Sequence, residues 1–145
     1  MSLEVPNRDC ALCPRLVDFR KKNRETFAAF HNAPVSSFGQ LNARLLVVGL
    51  APGLKGANRT ARPFTGDFAG DLLYPTIRAF DFAVGEYGAE RDDGLKLRDC
   101  RITNAVRCVP PKNKPIGDEI NACRPFLIKE IDAMFNLRVI LSLGL

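Results

Sequence analysis

Five cysteines are the residues of this 145-residue chain with the widest chemical scope: Cys10, Cys13, Cys100, Cys108 and Cys123. Cys10 and Cys13 form a C-x-x-C pair, a spacing that would put both sulfurs on one face of a helical turn, and fourteen residues separate Cys108 from Cys123. The opening residues MSLEVPNRDC lack the charged-then-apolar region of a secretory signal, so disulfides are the weaker explanation. Four thiolates suit Zn²⁺ or a [4Fe–4S] cluster, and spacing alone leaves both open. A C-x-x-C could also be a redox dithiol, although that role needs no second pair, and free buried cysteines are common.

A second chemical signal is the segment from Gly49-Leu50-Ala51-Pro52-Gly53 through Asn58-Arg59-Thr60 to Arg62-Pro63-Phe64-Thr65-Gly66-Asp67. It follows the apolar run Arg44-Leu45-Leu46-Val47-Val48, which reads as a strand buried on both faces. Open α/β sheets place ligands at the carboxyl ends of such strands. Gly49, Gly53 and Gly56 let backbone approach a ligand closely, Pro63-Phe64 offers an aromatic face, and Asp67 adds a carboxylate. The set suits a planar polar ligand held by stacking and backbone hydrogen bonds. Other readings of the glycines fail: there is no G-x-x-x-x-G-K-[ST], and Gly49/Gly53/Gly56 do not make G-x-G-x-x-G. His31, the only histidine, precedes the first strand in an irregular stretch and reads as a surface residue rather than a catalyst. The sequon Asn58-Arg59-Thr60 reads as accidental in a chain without an export signal.

Charge points to a polyanionic partner. The net charge is +5, and Arg98, Arg101, Arg107, Lys112 and Lys114 face only Asp99 between positions 98 and 114. That segment lies at the next strand–loop junction, where a phosphate-contacting edge is favoured over a merely solvated basic surface. No apolar run approaches the ~18 residues of a membrane span.

The elements that must position these groups alternate. A short amphipathic helix is expected over about 10–24, an irregular stretch over 26–42, and strands over 44–50, 102–106 and 138–143. Helices are expected near 71–82, with Leu72, Leu73, Ile77 and Phe80 as the inner face and Pro75 in the first turn, and over about 117–135, with a break before Pro125. A polar loop fills 85–98, and the proline-rich stretch 109–115 is neither helix nor central strand. Strand and helix alternation predicts a single α/β domain over 1–145 with a parallel sheet between helices. Leu143-Gly144-Leu145 ends the chain on an apolar strand without a covering helix, so the domain is expected to be incomplete at its C-terminus.

The wording of these motifs, GLAPG…NRT.RPFTGD with CALCPRL upstream and ITNAVRCVPPKNKP downstream, resembles the iron–sulfur uracil-DNA glycosylases, in particular the family 5 (type b) branch. The resemblance runs from about Cys10 to the last residue. It implies a three-layer α/β/α uracil-DNA-glycosylase-like fold with its C-terminal part missing, and a monofunctional enzyme excising uracil and other deaminated bases from DNA in base-excision repair. It implies a structural [4Fe–4S] cluster, rather than zinc, on Cys10, Cys13, Cys108 and Cys123, and gives Cys100 no counterpart. Phe64 matches the stacking aromatic and Asn104 the base-reading asparagine. Leu50, Ala51 and Gly53 match backbone lining the pocket. Ala51 stands where many other uracil-DNA glycosylases carry a water-activating Asp, Asn or Glu. Asp67 and Asn113 match the residues the branch relies on instead.

The residues themselves carry part of this. Asparagine is disfavoured in strands, so Asn104 argues for a hydrogen-bonding task near a strand end. Its carboxamide offers donor and acceptor, matching the O4 and N3–H edge of uracil. Phe64 could equally be a core side chain, Asn104 a buried asparagine bonded to backbone, Asp67 a loop cap and Asn113 a turn residue. Relatives carry a second motif built around a histidine beyond the point where this chain ends, so the 145-residue form is expected to be inactive. The competing functions are a non-catalytic iron–sulfur nucleic-acid-binding module and an electron-transfer protein, the latter disfavoured because the cysteine spacing matches no ferredoxin run. DNA is the expected partner, with no membrane, no obligate protein partner and a cytoplasmic location.

Overall fold

In the computed structural model, which describes residues 3–144, the apolar run Leu45–Gly49 forms a strand at the centre of a four-stranded sheet. The edge strand β1 (Phe38–Gly39) precedes it in the chain, so it is β2; β5 (Cys100–Asn104) and β6 (Val139–Ser142) run parallel to it on either side. β1 joins β5 antiparallel, giving the order β1-β5-β2-β6. Register pairs Leu45 with Cys100 and Gly49 with Asn104. Leu46, Val47 and Ile102 are fully buried, as a parallel sheet requires of its inner strands. The chain crosses from β2 to β5 on one side and then to β6 on the other. Strand order therefore reverses at β2, and a crevice opens at the carboxyl ends there. The expected α/β class with a mostly parallel sheet is what the chain adopts.

Among the described residues four α-helices accompany the sheet: α1 (Pro14–Thr26), the single turn α2 (Ala57–Thr60), α3 (Phe68–Ala79) and α4 (Gly117–Ala133). A hairpin of β3 (Ala83–Val84) and β4 (Lys96–Leu97) closes what the sequence suggested was only a polar loop. Among the described residues no helix is long and apolar enough to cross a membrane.

Several expected boundaries and faces are corrected. The C-x-x-C lies before α1 rather than on it, because Pro14 occupies the first helical position and Cys13 is extended at the N-cap. α3 starts three residues early: Asp67 caps it, its carboxylate accepting from the Gly70 amide at 2.8 Å. Its buried face is Gly70, Leu73, Tyr74 and Ile77, the i, i+3, i+4, i+7 series, while Leu72 and Phe80 are exposed. Gly70 sets that phase, since any Cβ there would strike the Phe64 carbonyl. Pro75 is thereby interior rather than first-turn, and it is tolerated because it faces solvent, where water can bond the carbonyl it leaves free. α4 runs through Pro125 without a break on the same terms. The irregular stretch before β2 contributes β1, and β5 begins at Cys100, two residues early. Past Asn104, Ala105 and Val106 still donate to the Gly49 and Leu50 carbonyls.

β6 pairs with β2 but leaves Val139, Ile140, Leu141 and Ser142 exposed. Leu145, the last residue of the expected exit from this strand, lies outside the described residues, as do Met1 and Ser2.

A buried carboxylate joins the layers. Glu130 of α4 is fully buried and accepts from Ser37 Oγ at 2.6 and 2.7 Å, with Arg101 Nε and Arg107 Nη2 each 3.5 Å away. Removing one partner of a buried ion pair strands the other in low dielectric. Glu130→Ala is therefore expected to lose about 3–5 kcal/mol of unfolding free energy. A chemical-denaturation midpoint close to that of the unaltered chain would show that water replaces the carboxylate.

Candidate functional site

The crevice at the ends of β2 and β5 is built on a missing side chain. A Cβ at Gly49 would overlap the Phe64 ring and stand 2.5 Å from Asn104 Oδ1, so this glycine lets the two side chains meet over the strand end. Asn104 is 4% exposed, and its carboxamide, which bonds no described residue, is not among the fully enclosed polar groups, so it opens to the crevice. Its own carbonyl is held by Arg107 Nε at 2.9 Å, which fixes the residue without using its amide.

Phe64 is half-buried with φ of 55°, a left-handed conformation that a non-glycine residue adopts only under constraint. The constraint is a clasp that the sequence did not reveal. Arg62, 4% exposed, forks onto Asp93 with bonds of 2.9 and 2.8 Å, donates to Thr65 Oγ1 at 2.8 Å, and lies over the Phe38 ring, 4.8 Å from its centroid. The Tyr74 hydroxyl donates to the Pro63 carbonyl, and the Gly66 amide donates to the Tyr87 hydroxyl at 3.0 Å. Hydrogen bonds from Arg62 hold the Asp93 carboxyl well below the usual carboxylate range. The only sequence trace of this clasp was the arginine in RPFTGD; Asp93, thirty-one residues on, carried no signal.

Further along the loop, Asp67 and Asn113 line one cleft with Gly53, Leu54, Lys55 and Gly56. Asp67 does cap α3, but through Oδ1, and its Oδ2 faces the space over Gly56. Asn113 is exposed on a 3-10 turn (Pro111–Asn113) where it and Lys112 both have positive φ, 59° and 56°. The carbonyls of Leu50 and Gly53 already accept from the Val106, Gly56 and Asn58 amides, which pins this stretch of the loop. Ala51, between them, is half-buried.

The expected basic edge is corrected. Arg107 is fully buried against Glu130, and Arg101 is largely enclosed by Glu130 and the Gly39 carbonyl. Arg98 precedes the opposite, amino end of β5. Lys112 and Lys114 remain exposed beside the cleft, joined by Lys55, which sequence reasoning passed over. His31 is half-buried with a ring nitrogen 3.0 Å from the Pro34 carbonyl, a local tie rather than a surface position. Asn58 is 1% exposed and donates to Asn32 Oδ1, so its sequon is sterically closed.

Cys10, Cys13, Cys108 and Cys123 line a single cavity between α1, α4 and the stretch after β5. Arg15 fastens α1 to α4 through two bonds to Glu119, at 2.9 and 2.6 Å. Burial pushes the Cys13 thiol up to about 11 and Cys108 up to about 12, with the nearby Arg20 cation opposing the rise at both. Burial also raises Cys123. Among the described residues, no three His, Cys, Asp or Glu side chains cluster closely enough to hold a single ion. Cys100 sits apart, 1% exposed in the core beside Val47 and Ile102.

Residues 36–145 match the family model described as the uracil DNA glycosylase superfamily. The chain is 40% identical over 140 residues to a type-5 uracil-DNA glycosylase of Pyrobaculum aerophilum, covering 94% of this chain and 62% of that protein. It is 42% identical over 140 residues to a type-5 uracil-DNA glycosylase of Thermus thermophilus, covering 93% and 64%. A type-4 uracil-DNA glycosylase of Sulfurisphaera tokodaii is 37% identical over 116 residues, 79% of this chain and 46% of that protein. The chain thus spans less than two thirds of the length of these relatives.

The Arg62–Asp93 clasp generates a pH prediction. A carboxylate whose folded pKa is depressed stabilises the fold above its unfolded value, near 3.9, and loses that contribution as pH falls. Asp93→Asn is expected to be destabilised at neutral pH by about 3–5 kcal/mol, leaving Arg62 buried without its anion. The gap between the variant and the unaltered chain should narrow below about pH 4. Denaturant titrations at pH 7 and pH 3 giving the same gap would contradict this assignment.

Proposed function

The chain belongs to the uracil DNA glycosylase superfamily, and from that premise we propose that it is the incomplete catalytic domain of a monofunctional DNA glycosylase releasing uracil, and other deaminated bases, from DNA, with the 145-residue form itself inactive. The observation that supports the reading is the Asn104 carboxamide, free of described partners, open to the crevice and set beside Phe64 over Gly49. A base-excision enzyme extrudes its nucleotide and must then hold the base by its face and its edge. Phe64 supplies the face. Asn104, accepting at Oδ1 and donating at Nδ2, fits N3–H and O4 of uracil. N–H groups of Leu50, Ala51 and Gly53 line the remaining approach.

Hydrolysis breaks the C1′–N bond as water oxygen adds to C1′, and the base departs as an anion while positive charge builds on the sugar. Asp67, with Oδ1 fixed by the Gly70 amide and Oδ2 facing the cleft, is placed to stabilise that charge. Asn113, lining the same cleft, would orient the water or the departing base. Lys55, Lys112 and Lys114 provide contacts for backbone phosphates.

Cys10, Cys13, Cys108 and Cys123 would hold a [4Fe–4S] cluster. Its contribution when bound is structural, tying α1 to α4 and ordering the loop between Cys108 and Cys123. Their convergence on one cavity supports this.

The test is release of uracil from single- and double-stranded oligonucleotides, by this chain and by a natural form as long as its relatives. Asn104→Ala and Phe64→Ala should each lower kcat/KM of the active form by ~1–3 kcal/mol of transition-state stabilisation. Salt-sensitive DNA binding with no base release from either form would replace the glycosylase by a non-catalytic nucleic-acid-binding module. For the metal, anaerobically purified protein should contain iron and sulfide, retained in Cys100→Ser and lost in Cys108→Ser. Stoichiometric zinc in their place would reverse the cofactor assignment.

A further inference from the structure

Three guanidinium groups are buried in this protein, and two have a carboxylate: Arg62 has Asp93, and Arg107 has Glu130. The third does not. Arg20, on α1 and 4% exposed, has no carboxylate within ion-pair distance among the described residues. Its Nη2 donates to the Cys10 carbonyl at 2.9 Å, its Nη1 reaches Cys108 Sγ at 3.8 Å, and its Nε has no partner among the described residues. All of this happens on the wall of the cavity lined by Cys10, Cys13, Cys108 and Cys123. A buried cation is retained where an anion meets it. The other charges near the cavity do not fill that need: Glu119 is already committed to Arg15, Asp9, which also feels Arg20, is committed to Arg24, and Arg107 is itself a cation, committed to Glu130.

We propose that Arg20 is the counter-charge of the cysteine centre, a positioning residue that offsets the negative charge of four thiolates around a metal cluster and raises the reduction potential of that cluster. The inference rests on the cluster reading given above. Four thiolates around a [4Fe–4S] core carry net negative charge, and an added electron makes it more negative. A fixed cation a hydrogen bond away from one sulfur favours the reduced form, and hydrogen bonds to the sulfurs and local charge are among the factors that set such potentials. Arg20 also bridges the two halves of the ligand set, gripping the Cys10 backbone with one nitrogen and Cys108 with another.

The experiment is a spectroelectrochemical titration of the protein as purified, after iron and sulfide analysis, in the unaltered chain and in Arg20→Gln and Arg20→Lys. Arg20→Gln should lower the reduced-to-oxidised ratio at a fixed potential at least tenfold, equivalent to about 59 mV for one electron. Arg20→Lys, which keeps the charge, should stay within threefold of the unaltered protein. Equal potentials in all three, or equal losses in Gln and Lys, would overturn the assignment while leaving the cluster intact. Should Arg20→Gln fail to fold, the unaltered protein labelled with ¹⁵N-arginine answers the same question. Electron–nuclear double resonance on the reduced cluster should show a guanidinium nitrogen coupling, and its absence would refute the contact. Absence of iron and sulfide from the unaltered protein would remove the cluster reading, and this proposal with it.

Discussion

Charge taken inside a protein has to be answered there, and this fold is arranged around that requirement. Glu130 stands at the meeting of α4 with the segment before β1 and with β5, and it is answered by Ser37, Arg101 and Arg107. Arg62 is answered by Asp93 across the hairpin loop. Neither pair is a gain over apolar packing of the same volume; such pairs roughly break even in free energy. What they do is fix geometry: Arg62 forks onto Asp93 and tolerates little displacement, and Glu130 is held by the Ser37 hydroxyl with two guanidinium groups close by. The strand ends and the loop over them inherit their positions from these two contacts.

The consequence is clearest at Phe64. Left to local preference, that residue would not hold a positive φ, and the loop would relax away from Gly49. Arg62 on one side, Tyr74 and Tyr87 on the other, and Gly70 beneath leave it no alternative. Strain in the backbone is thus carried by packing several residues away, and the aromatic face is set before any ligand arrives. Preorganisation of this kind lowers what binding must spend on ordering the site.

Much of this was legible in the chain. β2 was marked by its unbroken apolar run, and the parallel class by strand and helix alternation. The glycines after β2 announced a close approach, and Asn104 stood out because a strand seldom accepts asparagine. Other features left no local trace. Leu72 and Phe80 have the right hydrophobicity for the inner face of α3, but Gly70 against the Phe64 carbonyl turned the helix so that Tyr74 took the place. Arg101 and Arg107 sit in a basic cluster that reads as surface, and only Glu130, twenty-three residues beyond Arg107, shows where they go. Pairings between distant residues cannot be read from spacing, and the same distance hid Asp93 from Arg62.

Arg107 has one further implication. Its guanidinium grips the carbonyl of Asn104, and its immediate neighbour in the chain is Cys108, whose sulfur opens into the cysteine cavity. Five consecutive residues therefore connect the amide at the strand end to the thiols across the sheet, with a fully buried, rigid side chain between them. A displacement at the strand end is therefore transmitted to the cysteine cavity through the buried Arg107 side chain rather than absorbed in a loop.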